Sequence, residues 1–252
     1  MTAIVDTVPA VPLSRRWASV IRIHMANPWP TLVTPWLITV AIFGLNYAIW
    51  HIVLMAAGDG RVDPGAFQSN GGITWIFVYM VVVAVQSMNQ TFRFAMGFSF
   101  TRRDYYLGTA AYFAALSAFY ALGITLLAGV EHLTNGWGVD GAFFAAAFTK
   151  DLPLIQVAYV YFVVLLFLFF LGTAAATVYV RWATNGMFIF FGSLAIVLVG
   201  ASWIVTRSDG WETVGTFFTD HGLATIVSWS LPLTALAALA GYSFLRRATP
   251  RA

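Results

Sequence analysis

The sequence has no cysteine, which excludes disulfide bonds, thiolate metal sites and a cysteine nucleophile. Lysine occurs once, at Lys150, and charged residues make up only 9% of the 252 residues. Ordinary soluble domains carry roughly a quarter charged residues. Because 60% of the residues are hydrophobic, lipid must solvate most of the surface. The net charge is +3 without a long basic run, so we expect no nucleic-acid partner.

The hydrophobic residues are gathered into long runs. A lipid-spanning helix needs about 20 mostly apolar residues, and six runs are long enough, at about 35–56, 73–96, 106–130, 153–180, 186–205 and 222–245. Pro35 and Pro153 stand where a helix start tolerates proline, whereas Pro232 lies inside the sixth run and predicts a kink. We therefore expect an all-α polytopic membrane protein with six transmembrane helices in a single domain, 1–252.

The charged residues that flank these runs predict the orientation, since Lys and Arg are retained on the cytoplasmic side. Most arginines fall on one side of the six-span arrangement: Arg15, Arg16, Arg22, Arg93, Arg102, Arg103, Arg181, Arg246, Arg247 and Arg251. Most acidic residues fall on the other side: Asp59, Asp63, Glu131, Asp140, Asp151, Asp209, Glu212 and Asp220. Both termini are therefore predicted to be cytoplasmic.

No Asp, Glu, Lys or Arg lies within the body of any predicted span, because Arg93 falls in the part of the second run that is expected to continue into the cytoplasm. Carriers that couple to protons or ions generally need such groups, and voltage sensors need buried arginines. The sequence also lacks paired intramembrane aspartates, a His-Glu-x-x-His pair and a phosphate-binding loop. We expect no catalytic residue and no metal site, so energy for uphill transport has to come from a separate subunit.

A basic amphipathic segment precedes the first span. On a helical projection Trp17 lies on an apolar arc with Val20, whereas Arg15, Arg16 and Arg22 lie on the opposite side. The pattern predicts an interfacial helix over 14–26, with its apolar arc toward the acyl chains. The alternative is a juxtamembrane basic segment that only orients insertion.

The loop between the second and third spans carries helix-end signals. The second span is expected to continue to Met96, with Gly97 in the left-handed conformation that ends many helices. Thr101 and Asp104 have the Ser/Thr-x-x-Asp/Glu spacing that begins a helix.

Arginine and phenylalanine are concentrated in the same loop. Arg102 and Arg103 would project into the cytoplasm from the first turn of the third span, which is the unfavourable end of the helix dipole for a cation. Four phenylalanines lie close by and are costly to expose to water: Phe92, Phe94, Phe98 and Phe100. A docking surface for a cytosolic partner accounts for both features. The alternative is that positive-inside bias placed the arginines and the headgroup zone absorbs the rings.

This loop resembles that of small permease subunits of the ABC type-2 exporter family. Many bacterial members run from a Phe-rich helix end through a glycine into Ser/Thr-Arg-Arg-x-Tyr/Phe-x-x-Gly, matched here by Gly97, Thr101, Arg102, Arg103, Asp104, Tyr105 and Gly108. In that family an amphipathic helix precedes six spans, and the turn between spans two and three is a coupling helix that fits a groove on the ATPase subunit. The chain differs from better-known members between spans five and six, where 209–220 has room only for brief re-entrant or surface helices.

The resemblance implies a function and a set of site residues. The chain would be the permease subunit of an ATP-driven exporter in a bacterial plasma membrane, paired with a second copy and with ATPase subunits that hold ATP and magnesium. It would have no cofactor or ATPase site of its own. ATPase coupling would fall to Phe94, Gly97, Phe98, Thr101, Arg102, Arg103, Asp104 and Tyr105.

The uncharged polar residues Asn46, Gln86 and Asn89 are candidates to line a path for a hydrophobic or amphipathic cargo such as a drug, lipid or peptide. Each is equally suited to an interhelical hydrogen bond. The alternative function is a non-transporting membrane scaffold or assembly protein whose loop recruits a cytosolic partner. A membrane-embedded lipid-modifying enzyme is disfavoured, because no acid, base or metal constellation is present.

Overall fold

The computed structural model describes residues 13–58, 62–63, 65–68, 71–98 and 100–246. These residues form helices and loops, with no strand among them, which confirms the all-α prediction for this part of the chain. The α-helices are α1 (Leu13–Met25), α2 (Thr34–Ala57), α3 (Trp75–Gln86), α4 (Phe92–Gly97), α5 (Arg102–Leu133), α6 (Leu154–Arg207), α7 (Trp211–Asp220), α8 (Leu223–Ser228) and α9 (Ser230–Arg246). Both chain termini, with Asp6, Arg247 and Arg251, lie outside the described residues, as do Asp59 and Arg61.

Five helical stretches of the described chain are long and apolar enough to cross a membrane: Trp29–Ala57, Gly72–Gly97, Arg102–Leu133, Leu154–Arg207 and Leu223–Arg246. They cover all six predicted runs, because the fourth and fifth runs share the 54 residues of α6. The last stretch is interrupted at Trp229, between α8 and α9. Pro232 lacks the N–H that would bond the Ser228 carbonyl, which accounts for an interruption within the preceding turn.

The chain folds back inside α6. Ala183 has φ 53° and ψ −146°, which are not helical values. A Cβ built on Gly186 would lie 3.3 Å from the carbonyl oxygen of Val178. Eight residues of continuous helix would separate these two positions by about 12 Å. Residues 154–182 and 184–207 are therefore two arms that pack against each other at Ala183.

The core lies between α3, α5 and the first arm of α6. Phe113 and Phe169 stack there with ring centroids 4.5 Å apart. Gly172 brings two helices close together, because a Cβ at this position would be 3.0 Å from the Cβ of Ala84 on α3. Small residues are the usual means by which membrane helices approach each other.

The other helices are barely covered by protein. On α2 only Pro35, Thr39 and Trp50 are buried, and large apolar side chains are exposed along α2, α9 and the second arm of α6. So much apolar surface requires lipid or another protein around it. The helices thus support a membrane protein.

A buried carboxylate fixes the loop between α5 and α6. Glu131 is 2% exposed and accepts hydrogen bonds from the Trp137 indole N–H at 2.8 Å and from the backbone N–H groups of Phe143, Phe144 and Ala145 at 2.8, 3.1 and 2.9 Å. Hydrogen bonds to an ionised group are about twice as strong as neutral ones. Sequence reasoning counted Glu131 only as an external acid, whereas the structure makes it the anchor of this loop.

We predict that Glu131→Gln loosens the loop. The amide NH₂ would face N–H donors, and losing hydrogen bonds to a charged group costs roughly 1.5–3 kcal/mol each. Thermal unfolding of the purified variant should begin at a lower temperature, and limited proteolysis should cut between residues 134 and 152. Glu212→Gln, an exposed acid in the first turn of α7, is the matched control and should behave as wild type. Equal behaviour of the two variants would contradict the anchoring role.

Candidate partner-docking site at the α4–α5 turn

The end of α4 differs from the sequence-based expectation. Gly97 is the last helical residue and does not have a positive φ, so the predicted left-handed conformation is wrong. Phe98 follows with φ −94° and ψ 18°, and its N–H bonds the Ala95 carbonyl at 3.0 Å. This three-residue bond tightens the last turn and satisfies the carbonyl without a left-handed residue. Ser99 lies outside the described residues.

The predicted start of α5 is confirmed. Thr101 is extended, with φ −72° and ψ 146°, and its hydroxyl accepts a hydrogen bond from the Asp104 N–H at 3.1 Å. The Asp104 carboxylate does not reach back to the cap residue. It is 7% exposed and accepts a hydrogen bond from Nη1 of Arg16 at 3.3 Å. Asp104 therefore joins α5 to α1.

Tyr105 joins the same turn to the second predicted span. The backbone is π-helical over Ser87–Thr91, so the Ser87 carbonyl accepts from the N–H of Phe92, five residues on. The Tyr105 hydroxyl donates to this same carbonyl at 2.6 Å. The buried ring of Phe92 packs on Tyr105 with centroids 5.4 Å apart. π-Helical turns occur frequently at functional sites.

Tyr106 and Arg102 join the turn to α9. The Tyr106 hydroxyl donates to the Ala238 carbonyl at 2.6 Å, and Nη1 of Arg102 donates to the Arg246 carbonyl at 2.9 Å. The sequence suggested that Arg102 and Arg103 both project into the cytoplasm. In the structure Arg103 is exposed, whereas Arg102 is half-buried and held by this hydrogen bond. We call residues 102–106 the α5 junction, because they bond to α1, the second span and α9.

α1 packs along α5 beyond the junction. Val20 is fully buried against Gly108, where an added Cβ would be 2.6 Å from the Val20 Cβ. His24 stacks on Tyr112 with centroids 4.8 Å apart, and its Nε2 lies 2.9 Å from the Thr109 hydroxyl. Val20, predicted to face acyl chains, faces α5 instead, because the glycine leaves room for it. The sequence-based interpretation did not include His24. Its position four residues after Val20 places both side chains on the same face of α1, and this spacing could have indicated that His24 is buried as well.

The other predicted residues of α1 are less enclosed. Trp17 is half-buried and Arg22 is exposed. Arg15 lies in α1, and its side chain lies outside the described residues.

A pair of phenylalanines stands exposed beside the junction. Phe94 and Phe98 are 56% and 63% exposed, and their rings meet edge to face with centroids 4.8 Å apart. Arg93, which precedes Phe94 in the chain, and Arg103, in the first turn of α5, are also exposed. The other two phenylalanines of the loop turn inward, Phe92 buried and Phe100 half-buried. We call Phe94, Phe98, Arg93 and Arg103 the docking patch.

The three path candidates have different surroundings. Asn46 on α2 donates from Nδ2 to the carbonyl of Ile42 in its own helix at 2.8 Å. Gln86 is exposed at the end of α3. Asn89 lies in the π-helical turn, where its Oδ1 is buried without a hydrogen-bond partner. It lines a cavity of about 270 Å³ with Val85, Ala175, Ala176, Tyr179 and Met187.

We predict that Gly108→Ala weakens the packing of α1 on α5. The added methyl group would overlap Val20, and overpacking of this kind costs about 1–3 kcal/mol. Scanning fluorimetry should record a lower unfolding temperature than for wild type. Gly44→Ala on α2 is the matched control, since a Cβ there meets nothing within 4 Å and alanine is the better helix former. A Gly108→Ala protein as stable as the Gly44→Ala protein would contradict the tight α1–α5 contact.

We also predict that acid weakens this contact. Burial lowers the pKa of His24 from 6.5 to about 4. Between pH 6.5 and pH 4, His24 binds a proton in the unfolded protein but not in the folded one. The contribution of His24 to the free energy of unfolding is therefore constant above pH 6.5 and declines as the pH falls toward 4. The slope should be on the order of 1 kcal/mol per pH unit. Unfolding temperatures measured from pH 7.5 to 4.5 should lose this dependence in His24→Phe and keep it in His221→Phe, whose histidine is exposed. An unchanged slope in His24→Phe would refute the assignment.

Comparison with known proteins yields no relative. No family model matches the chain, and no curated protein and no solved structure matches it either. A functional proposal therefore depends on the residues and contacts described above.

Proposed function

We propose that the chain is the membrane permease subunit of an ATP-driven exporter of the ABC type-2 kind. In this proposal it crosses the membrane six times, has both termini in the cytoplasm, pairs with a second copy, and receives mechanical work from a separate ATPase subunit. It carries no ATPase site of its own.

The fold-back at Ala183 supports six crossings. As one continuous helix, α6 would be roughly 80 Å long, against a hydrocarbon core of about 30 Å. Each arm separately exceeds the roughly 20 residues that a crossing needs. Arg181 stands at the turn between the arms, and Arg102 and Arg246 are joined at one end of the bundle. An arginine-rich end is expected on the cytoplasmic side.

The observation that carries the proposal is the docking patch beside the α5 junction. Phe94 and Phe98 present an exposed apolar pair, whereas the adjoining Asp104, Tyr105 and Tyr106 are buried and bonded to three separate parts of the bundle. A protein that binds the pair would therefore act on α1, the second span and α9 together. Rigid-body movement of packed helices is a common form of conformational switching.

The scarcity of buried charge in the described helices supports an external source of energy. In the part of the chain that the structure describes, the buried carboxylates are Asp104 and Glu131, at opposite ends of α5. Both are occupied, Asp104 by Arg16 and Glu131 by four N–H groups. Neither is placed to carry a coupling proton or ion through the bilayer.

The same scarcity of charge favours a hydrophobic or amphipathic cargo. The cavity at Asn89 is lined by apolar side chains, the Tyr179 ring and one buried carboxamide oxygen without a partner. Such a lining suits a hydrophobic or amphipathic molecule that donates a single hydrogen bond.

The test is ATP hydrolysis by the complex. The double variant Phe94→Ala/Phe98→Ala, co-expressed with the copurifying ATPase, should insert normally but lose cargo-stimulated hydrolysis by about tenfold or more, since truncating a central aromatic contact costs about 2 kcal/mol or more. Phe217→Ala/Phe218→Ala removes a second edge-to-face pair, with centroids 5.6 Å apart, at the other end of the molecule, and should retain coupling.

Two outcomes would overturn the proposal. One is normal coupling in the Phe94/Phe98 variant. The other is purification from native membranes of a partner without a phosphate-binding loop, which would favour a non-transporting scaffold.

A further inference from the structure

A crevice opens where α6 folds back on itself. Its volume is about 430 Å³, within the range of small-molecule pockets. Residues from both arms of α6 and from α9 line it: Val178, Trp182, Ile189, Phe190, Ser193 and Phe244. The lining is almost wholly apolar, since the one hydroxyl among these residues, that of Ser193, is bonded to the Phe190 carbonyl at 2.9 Å.

The crevice is a product of the local sequence. Gly186 has no side chain to fill it, and the Ala183 backbone turns the second arm so that Gly186 lies against Val178. Trp182 and Phe244 close one side, with rings edge to face and centroids 5.1 Å apart.

A guanidinium group stacks on Trp182, one of the residues that line the crevice. The Cζ of Arg181 lies 4.2 Å from the centroid of the Trp182 ring, a cation–π distance. Arg246 follows Phe244 by two residues, and its carbonyl holds Nη1 of Arg102. Three arginines are thus gathered at this end of the bundle.

The described chain offers no carboxylate to balance them. Asp104, the acid of the α5 junction, is 7% exposed and bonded to Arg16. Glu131 lies 27 residues along α5 from Asp104, roughly 40 Å away, and Asp209 follows the far end of the second arm of α6. A second copy inserted in the same orientation would have its described acidic residues at the same depths as the first. Its described residues would therefore bring no unpaired carboxylate to the end of the bundle where Arg181 lies.

We propose that the crevice binds one acyl chain of an anionic phospholipid, whose phosphate lies against Arg181. Three residues of the lining, Trp182, Ile189 and Ser193, are exposed, so the crevice is accessible from the surface of the helices. Tyr179 and Trp182, both exposed, are of the residue types that mark the membrane interface. Basic pockets between helices at this level are the usual sites for anionic headgroups. This lipid site is additional to the proposed function. It rests on that proposal in one respect, namely that the proposed orientation places the site in the cytoplasmic leaflet.

Retention of lipid by the purified full-length chain tests the site. The protein is exchanged into mixed micelles that contain phosphatidylglycerol and phosphatidylcholine with the same acyl chains, without an ATPase, and bound lipid is counted by native mass spectrometry. Wild type should keep one phosphatidylglycerol per chain in preference to phosphatidylcholine. Arg181→Gln should weaken that binding roughly fivefold, the attraction of one arginine near the headgroups.

Arg207→Gln is the matched control. Arg207 also stacks on a tryptophan, with its Cζ 5.6 Å from the Trp203 ring, but it lies at the far end of the second arm, away from the crevice. It should retain the lipid as wild type does. Ser193→Trp tests the acyl-chain part of the site, since an indole would fill the crevice from an exposed position.

Several outcomes would overturn the proposal: equal retention of the two lipids, equal losses in Arg181→Gln and Arg207→Gln, or full lipid retention by Ser193→Trp. If a second copy filled the crevice, Ser193→Trp would convert a dimer to a monomer and leave lipid retention unchanged. No ATPase takes part in these measurements, so their failure leaves the coupling experiment untouched, and failure of coupling leaves the lipid count valid.

Discussion

Hydroxyl groups buried in an apolar bundle need hydrogen-bond partners, and the two tyrosines in the first turn of α5 find theirs on two other helical segments. The Tyr105 hydroxyl bonds the Ser87 carbonyl of the π-helical turn, and the Tyr106 hydroxyl bonds the Ala238 carbonyl of α9. Asp104 adds an ion pair with α1. These bonds fix three elements relative to one turn of helix. The proposed coupling depends on them, because an exposed patch transmits movement only through residues that hold several helices.

Local sequence signals predicted most features that lie within a single helix. Hydropathy located the apolar helices, the Thr101–Asp104 spacing located the start of α5, and the proline rule located the interruption before Pro232. Each depends on residues within about one turn of each other or on a continuous run. The loop was also singled out correctly as a place where aromatic side chains stand exposed, although only Phe94 and Phe98 do so.

Local sequence signals could not predict contacts between residues that are far apart in the chain. Burial of Glu131 depends on backbone N–H groups 12 to 14 residues later, whose direction no spacing rule gives. Arg102 bonds α9 across 144 residues of sequence. The prediction of a left-handed Gly97 was wrong for a local reason. A tighter last helical turn, in which the Phe98 N–H bonds the Ala95 carbonyl, is an alternative way to end the helix and needs no left-handed residue.

The connection at Ala183 has a mechanical consequence for the whole bundle. One non-helical residue joins the two arms of α6, and Gly186 already touches Val178, so the link contains no slack. Neither arm is able to slide along the other without unwinding a helical turn. We therefore expect any rearrangement of the bundle to carry both arms as one body, which extends from Pro153 to Ser208.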